Sequence, residues 1–315
     1  MIAKPPFARF IGCDVGKAGI VVFDSASACA CSVPNQPEAL DALAARLDDT
    51  CLVVCEATGG YEAALLAAML RAGRAVHRAD ARKVKSFIRS FGTLGKTDAI
   101  DARALARYGA ERHAQLRRWQ APDAARDRLA AMVLTRRDLV DQRLACNNRL
   151  TAPGAQAVQS YLKALLDCLD TQIRAIEADT KALIAAHDAL APAVRALKDL
   201  SGIGSTIATA LVALMPELGT MNRRQAAALA GLAPHPCQSG SADGYRRTKG
   251  GRPEIKKVLF MAALTASRRD PKLSAFYQRL IKAGKKPIVA TTAVMRKLII
   301  ICNAVLRPKP ASADA

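Results

Sequence analysis

Aromatic residues make up only 4% of this 315-residue chain, and there is a single tryptophan. With Ala and Leu filling much of the apolar content, that scarcity points to a largely helical protein. Histidine is rarer still: His77, His113, His187 and His235 are scattered, which argues against a histidine-based metal site. The nine cysteines are odd in number and include no Cys-x-x-Cys pair. His235 and Cys237 lie close together, but no second pair stands near them to complete a zinc site. Cys13, Cys51 and Cys55 fall inside apolar, strand-like runs and read as small core residues. No uninterrupted apolar span is present either. The stretch Ile288 to Leu306 comes closest, but Arg296 and Lys297 interrupt it. Without a lipidation motif or signal peptide, the expected location is cytoplasmic and no membrane partner is expected.

Acidic residues are in deficit as well, 27 against 47 Lys and Arg, leaving a formal net charge of +20. A sequence pI near 10.0 on a folded, non-repetitive chain points to a polyanionic partner, nucleic acid before anionic membrane. The length suits about two domains with real cores.

The few acids occupy telling places. Phe10-Ile11-Gly12-Cys13-Asp14 reads as a buried strand ending in a carboxylate and a turn containing Lys17. Gly19 to Asp24 and Ala28 to Val33 follow with short connections, which implies an antiparallel meander. A helix from Pro37 to about Leu47 leads to the apolar strand Cys51-Leu52-Val53-Val54-Cys55-Glu56, again ending in a carboxylate. After the loop Ala57-Thr58-Gly59-Gly60 come a helix, Tyr61 to Arg71, and a last short strand, Ala75 to His77. That order is the ribonuclease-H-like α/β fold with a mixed sheet. Further on, Thr97 is placed to cap a helix whose first turn carries Asp98 and Asp101 on one face. Acids in a first turn also suit the helix dipole by themselves. In a sheet whose first and fourth strands are neighbours, however, Asp14 and Glu56 end together, and a helix can bring Asp98 and Asp101 beside them. Four convergent carboxylates stay ionised only with cations, and two Mg2+ ions, with Mn2+ as an alternative, would supply that charge. Between the second and third blocks lie Arg78, Arg82, Lys83, Lys85, Arg89 and Lys96, expected to contact phosphates.

These acidic blocks carry a resemblance. Gly12-Cys13-Asp14-Val15-Gly16-Lys17, Cys55-Glu56-Ala57-Thr58-Gly59-Gly60-Tyr61 and Lys96-Thr97-Asp98-Ala99-Ile100-Asp101-Ala102 resemble, in order and separation, the three acidic blocks of the DEDD transposases. These are RuvC-like enzymes of insertion sequences, now known as bridge-RNA-guided recombinases. The resemblance implies that Asp14, Glu56, Asp98 and Asp101 are the metal-binding acids.

From Asp123 the chain turns long, helical and charged. Leu162, Leu165, Leu169, Ile173, Ile176, Thr180, Leu183, His187 and Leu190 recur with three-and-four spacing, a heptad seam. Pro153-Gly154 interrupts the run and either folds two halves into a hairpin or kinks them; each half would be about 45 Å long. An intramolecular spacer and a dimerisation arm are both open on the residues, and the family resemblance favours the arm. Ser201-Gly202-Ile203-Gly204-Ser205 resembles a helix-hairpin-helix turn, whose glycines would let backbone amides approach a phosphate. Leu229-Ala230-Gly231-Leu232-Ala233-Pro234 leads into a polar, glycine-rich loop holding Ser239 and Ser241. There the resemblance implies that Ser239 is the nucleophile, with Ser241 as the alternative. Arg246, Arg247, Lys249, Arg252, Lys256 and Lys257 would hold phosphates nearby.

The expected organisation is a catalytic domain over 1–120, a coiled-coil linker or dimerisation arm over 121–192, a mainly helical C-terminal domain over 193–306 and a disordered tail over 307–315. The expected function is a transposase or site-specific recombinase acting on donor and target DNA. A structured guide RNA and a dimer or tetramer are expected from the family, with Ser239 docking onto the acids of the first domain. The competing readings are a metal-dependent Holliday-junction nuclease using water, and a non-catalytic nucleic-acid-binding protein.

Overall fold

A computed structural model describes residues 7–92, 95, 97–121, 123–239 and 242–308. Lys96, Ser241 and most of the expected tail lie outside the described residues. The chain divides into two compact units, 1–121 and 122–315.

The first unit is built on a five-stranded sheet. Its strands are β1 (Arg9–Val15), β2 (Gly19–Asp24), β3 (Cys29–Pro34), β4 (Cys51–Glu56) and β5 (Ala75–Ala79), in the order β3-β2-β1-β4-β5. β1 to β3 form the expected antiparallel meander, while β4 runs parallel to both β1 and β5. This is the ribonuclease-H-like arrangement. The central strands are covered on both faces, which is why β4 is a continuous apolar run rather than an alternating one. Helices α1 (Pro37–Ala45) and α2 (Ala63–Arg71) cover the face carrying Ile11, Cys13, Val53 and Cys55. Helices α3 (Ala81–Arg89) and α4 (Asp98–Arg112) cover the face carrying Phe10, Leu52 and Val54. Cys13, Cys51 and Cys55 are fully buried, as core residues should be. Burial pushes the Cys55 thiol up to about 12 and raises that of Cys13 well above its ordinary value.

The second unit is helical. Helices α5 (Ala124–Leu150) and α6 (Gln159–Ala185), each 27 residues and so about 40 Å long, run antiparallel. Arg136 bridges to Glu177 and Arg143 to Asp170, pairing an earlier residue on one helix with a later one on the other. The break at Pro153-Gly154 therefore makes a hairpin, with Gly154 in the left-handed conformation at φ 86°. Leu169 and Ile173 of the seam are buried, but Leu165 is 47% exposed, and His187 lies beyond the end of α6.

After the helical hairpin come α7 (Leu190–Lys198), α8 (Ser205–Leu214), α9 (Arg223–Leu229), β6 (Pro234–Ser239), β7 (Ala242–Thr248), α10 (Pro253–Arg269), α11 (Pro271–Lys282) and α12 (Pro287–Val305). Pro253, Pro271 and Pro287 each open a helix, where a missing N–H removes no bond. Their shared core joins Leu129 of α5 to Leu197, Leu211, Leu259 and Leu298, so the base of the helical hairpin is part of it. α12 is long and apolar enough to cross a membrane, yet Val294, Leu298, Ile299 and Cys302 are buried in this core. One expectation is corrected. The glycine-rich loop around Ser239 is instead an antiparallel β-hairpin, β6 with β7, and every residue of β6 is exposed, so no buried alternation marks that strand in the sequence.

Candidate active site

Asp14 is the next-to-last residue of β1, and Glu56 is the last of β4. Cys13 faces Cys55 in the parallel register. Asp14 and Glu56 therefore stand side by side in the following row, at the strand spacing of about 4.8 Å. Side chains alternate along a strand, so the two acids point away from the cysteines, toward the face covered by α4. Both are half-buried.

The direction of α4 decides what joins them. A Cβ built on Gly12 would lie 1.9 Å from the carbonyl oxygen of Ala102 and 2.5 Å from the amide nitrogen of Ala106. Seven residues past Ala102, a Cβ on Gly109 would meet Val54 at 2.9 Å and Phe10 at 3.3 Å. The helix thus runs antiparallel to β1, with its backbone directly on the strand, and its N-terminus is aimed at the end where Asp14 and Glu56 sit. Thr97 caps that end, its hydroxyl oxygen accepting from the Ile100 amide at 3.2 Å. Asp98 is exposed and Asp101 half-buried in the first turn. All four predicted acids therefore converge on one end of one sheet face.

Their oxygen-only donor set, without sulfur or imidazole, fits a hard divalent cation such as Mg2+. Among the described residues, however, no group of three or more His, Cys, Asp or Glu side chains is close enough to hold a metal ion. The backbone assembles the acids at one end; their side chains do not form a closed ligand shell by themselves.

Two supporting residues escaped the sequence reading. Glu62, only 2% exposed, accepts hydrogen bonds from the Thr58 and Gly60 amides at 3.1 and 2.9 Å and from the Thr58 hydroxyl at 3.1 Å. It thereby fixes the loop that follows Glu56. Burial alone would raise its carboxyl, but hydrogen bonds from backbone amides, with the Arg78 charge, hold it below the ordinary range. Asn35 donates from Nδ2 to the carbonyls of both Gly16 and Tyr61 at 3.0 Å, tying the first acidic block to the second. Position between Pro34 and Pro37 was the only sequence signal for Asn35. For Glu62 it was a carboxylate closing a glycine-containing turn.

The basic residues divide. Arg82, Lys83, Lys85 and Arg89 are exposed on α3, whose Val84 and Phe87 face the core, and Lys17 is exposed in the β1–β2 turn. Arg78 has a partner within the chain: its Nε pairs with the buried Glu62 at 2.9 Å, while the side chain stays 44% exposed.

In the second unit, Ser239 ends β6, faces Ala242 across the β-hairpin and is exposed. Arg246, Arg247 and Lys249 are exposed on or just beyond β7. Arg252 differs from the expectation. It holds Glu217 through both guanidinium NH2 groups, at 2.6 and 2.7 Å, and donates to the Leu214 carbonyl at 2.8 Å. That makes it a structural clamp between α8 and α10. The glycines divide as well. Gly204 is exposed at the N-terminus of α8, with open space where a Cβ would be. Gly202, at φ 85°, packs on α10, where a Cβ would lie 2.7 Å from the Ala262 carbonyl. Gly202 therefore serves close packing, whatever α8 does with an anion.

Below the β-hairpin lies a cavity of about 1400 Å3, lined by Arg223, Arg224, Arg246, Arg247, Lys256, Lys257, Arg296 and Lys297 over an apolar floor.

Comparisons with known proteins identify the kind of enzyme. A DEDD transposase model of the IS110 type matches residues 11–153, which includes all four acids. A second, described as "Transposase IS116/IS110/IS902 family", matches residues 194–278, which includes the β-hairpin. The chain is 29% identical over 259 residues to the "Pilin gene-inverting protein" of Moraxella bovis, covering 81% of this chain and 80% of that protein. The Moraxella lacunata protein of the same name matches to the same extent. The "Insertion element IS110 uncharacterized 43.6 kDa protein" of Streptomyces coelicolor is 29% identical over 215 residues, 64% of this chain and half of that protein. The chain belongs to the IS116/IS110/IS902 family of transposases, enzymes that cut and join DNA.

Proposed function

We propose that this transposase recombines donor and target DNA by transient covalent attachment through Ser239, supported by divalent cations held on Asp14, Glu56, Asp98 and Asp101. The observation that carries the reading is the convergence of those four acids at the C-terminal ends of β1 and β4. Mg2+ bound there would neutralise phosphate charge and stabilise the oxygen that leaves. The chain's own part is to keep four carboxylates at one end of a rigid sheet and to present a hydroxyl on an exposed β-hairpin. In the serine step, Ser239 Oγ loses its proton and bonds to phosphorus as one P–O bond of the DNA strand breaks. The released sugar hydroxyl takes a proton. The reverse reaction with a different hydroxyl rejoins the strand, so no ATP is consumed.

The exposed cations of α3 and the β-hairpin support phosphate binding, and the positive net charge suits a structured guide RNA as a second polyanion. We read the α5–α6 arm as the oligomer contact, giving a dimer or tetramer. Leu144, Val158, Tyr161 and Leu165, from 47% to 77% exposed, cluster toward its turn. The decisive experiment is trapping of a covalent protein–DNA adduct. Wild type should form it in Mg2+ and Ser239→Ala should not. Adduct formation by Ser239→Ala would move the role to Ser241 or discard the serine mechanism. Sequencing of RNA that copurifies with the protein tests the guide.

A further inference from the structure

The cavity beneath the β-hairpin combines two chemistries that duplex binding does not need together. Its rim carries Arg223, Arg224, Lys256, Lys257, Arg296 and Lys297, in addition to the two hairpin arginines, and no Asp or Glu lines it among the described residues. Its floor is apolar, with Phe260, Met261, Phe276, Ile288 and Ile300. Met261 and Ile288 are 59% and 58% exposed, large apolar side chains left open in this basic concavity. Lys297 already lies over the Phe276 ring, 4.6 Å from its centre, so cation and π surface are interleaved.

A double helix offers phosphates outside and hides its bases in the stack, so it would use the rim and leave the floor wet. A strand with unstacked bases offers both surfaces at once. We infer that this cavity takes unpaired nucleotides of the DNA strand being processed, with phosphates on the rim and bases on the apolar floor. The inference rests on the proposed reading that the β-hairpin handles a DNA strand. That reading is also what selects DNA over RNA, because the Arg and Lys donors of the lining can meet phosphates of either. Position fits as well. Pro234 and Thr248 face each other at the base of the β-hairpin beside the cavity, while Ser239 stands five residues further along β6. That is about 16 Å at 3.3 Å per residue, or about five nucleotides of a stacked strand. The cavity would therefore hold bases a few positions from the phosphate that Ser239 meets.

The test measures equilibrium binding of the full chain to a fluorescent 20-nucleotide oligothymidylate, to the same strand carrying five consecutive abasic sites, to the corresponding RNA, and to a DNA duplex of equal length. Wild type should prefer the intact strand to the abasic one by about fivefold or more, the scale of losing stacking on even one base. The Met261→Ser and Ile288→Ser substitutions, both at exposed positions, should together erase that preference while duplex affinity stays within twofold of wild type. Equal binding of abasic and intact strands by wild type overturns the inference, as does an unchanged preference in the double variant. RNA bound more tightly than DNA with the same dependence on Met261 and Ile288 would reassign the cavity to RNA. If duplex binding were absent as well, the proposed recombinase reading would fail with it. Intact duplex binding without a base preference sinks only the cavity.

Discussion

Asp14 and Glu56 end strands in which nearly every residue is buried, whereas Ser239 ends a strand in which every residue is exposed. The acids are held by the core: β1 and β4 are covered on both faces, and α4 rests on Gly12 without an intervening side chain. The serine is held by the backbone ladder of a two-stranded ribbon, which is marginal without packing. The comparison teaches that the four acids are preorganised by folding, whereas Ser239, in its proposed role, is a presented group whose final position depends on what docks against it.

The largest effects should come from removing the proposed reacting groups, and they should separate chemistry from folding on both sides of the comparison. Asp14→Asn or Glu56→Gln should lower strand cleavage by at least about 100-fold in a gel assay, the scale of losing one preorganised electrostatic contact. Duplex binding should persist. A variant that cleaves at the wild-type rate in Mg2+ removes that acid from the site. Chelation by EDTA should reproduce the loss. Ser239→Ala should abolish the adduct yet change unfolding free energy by less than about 0.5 kcal/mol, as for most exposed positions. A large loss of stability would mean that the β-hairpin is packed after all. Ser241→Ala should retain both adduct and recombination.

Next come the packing glycines. Gly12→Ala should destabilise the first unit by about 1–3 kcal/mol through overpacking. In denaturant titrations with a strand-cleavage readout alongside, it should also raise the Mg2+ concentration needed for half-maximal cleavage, because α4 carries Asp98 and Asp101. Gly202→Ala should destabilise the second unit to a similar degree without shifting the Mg2+ requirement. A matching shift in both variants would erase the distinction between the two units.

Glu62 gives a pH-dependent contrast. Its carboxyl lies below the ordinary value of 4.5 in the folded chain. It therefore lends stability that is fully present above that pH and is lost as pH falls through the depressed value. Glu62→Gln should lower stability at pH 7 by about 1–3 kcal/mol, the range for an impaired buried hydrogen-bond network. The gap to wild type should narrow in urea titrations run below pH 4.5. A gap independent of pH would assign the loss to packing alone. The smallest effect separates two arginines of the second unit. Arg247→Gln should reduce the salt slope of DNA binding by about one with stability unchanged. Arg252→Gln should do the reverse.

Much of the first unit was legible because its signals are local. Strands ending in Asp14 and Glu56, the Thr97 cap and the buried cysteines each follow from a few adjacent residues. What was not legible depends on partners distant in sequence. Arg252 looked like a phosphate ligand because Glu217 is 35 residues away. Gly202 looked like a backbone clamp because the α10 carbonyl that excludes its Cβ belongs to Ala262. Arg78 looked free for phosphate because nothing near it in the chain announces Glu62. The β-hairpin was hidden for another reason: every residue of β6 is exposed, so that strand has no apolar alternation to read. The helical hairpin was half legible, since Pro153-Gly154 marked the break but left its direction open.

The seat of α4 on Gly12 has a consequence for how this enzyme tolerates change. Where a helix rests on a strand through side chains, every substitution between them alters the gap, and a lineage drifts by many small repackings. Here the gap at the acid end is set by backbone against backbone. Replacement of Leu105, Phe87 or Val84 in that layer would alter melting behaviour long before it altered the spacing between the acid-bearing strand and helix. An engineer seeking a more heat-resistant variant can therefore redesign those positions freely, provided that residues 12, 102, 106 and 109 are left alone.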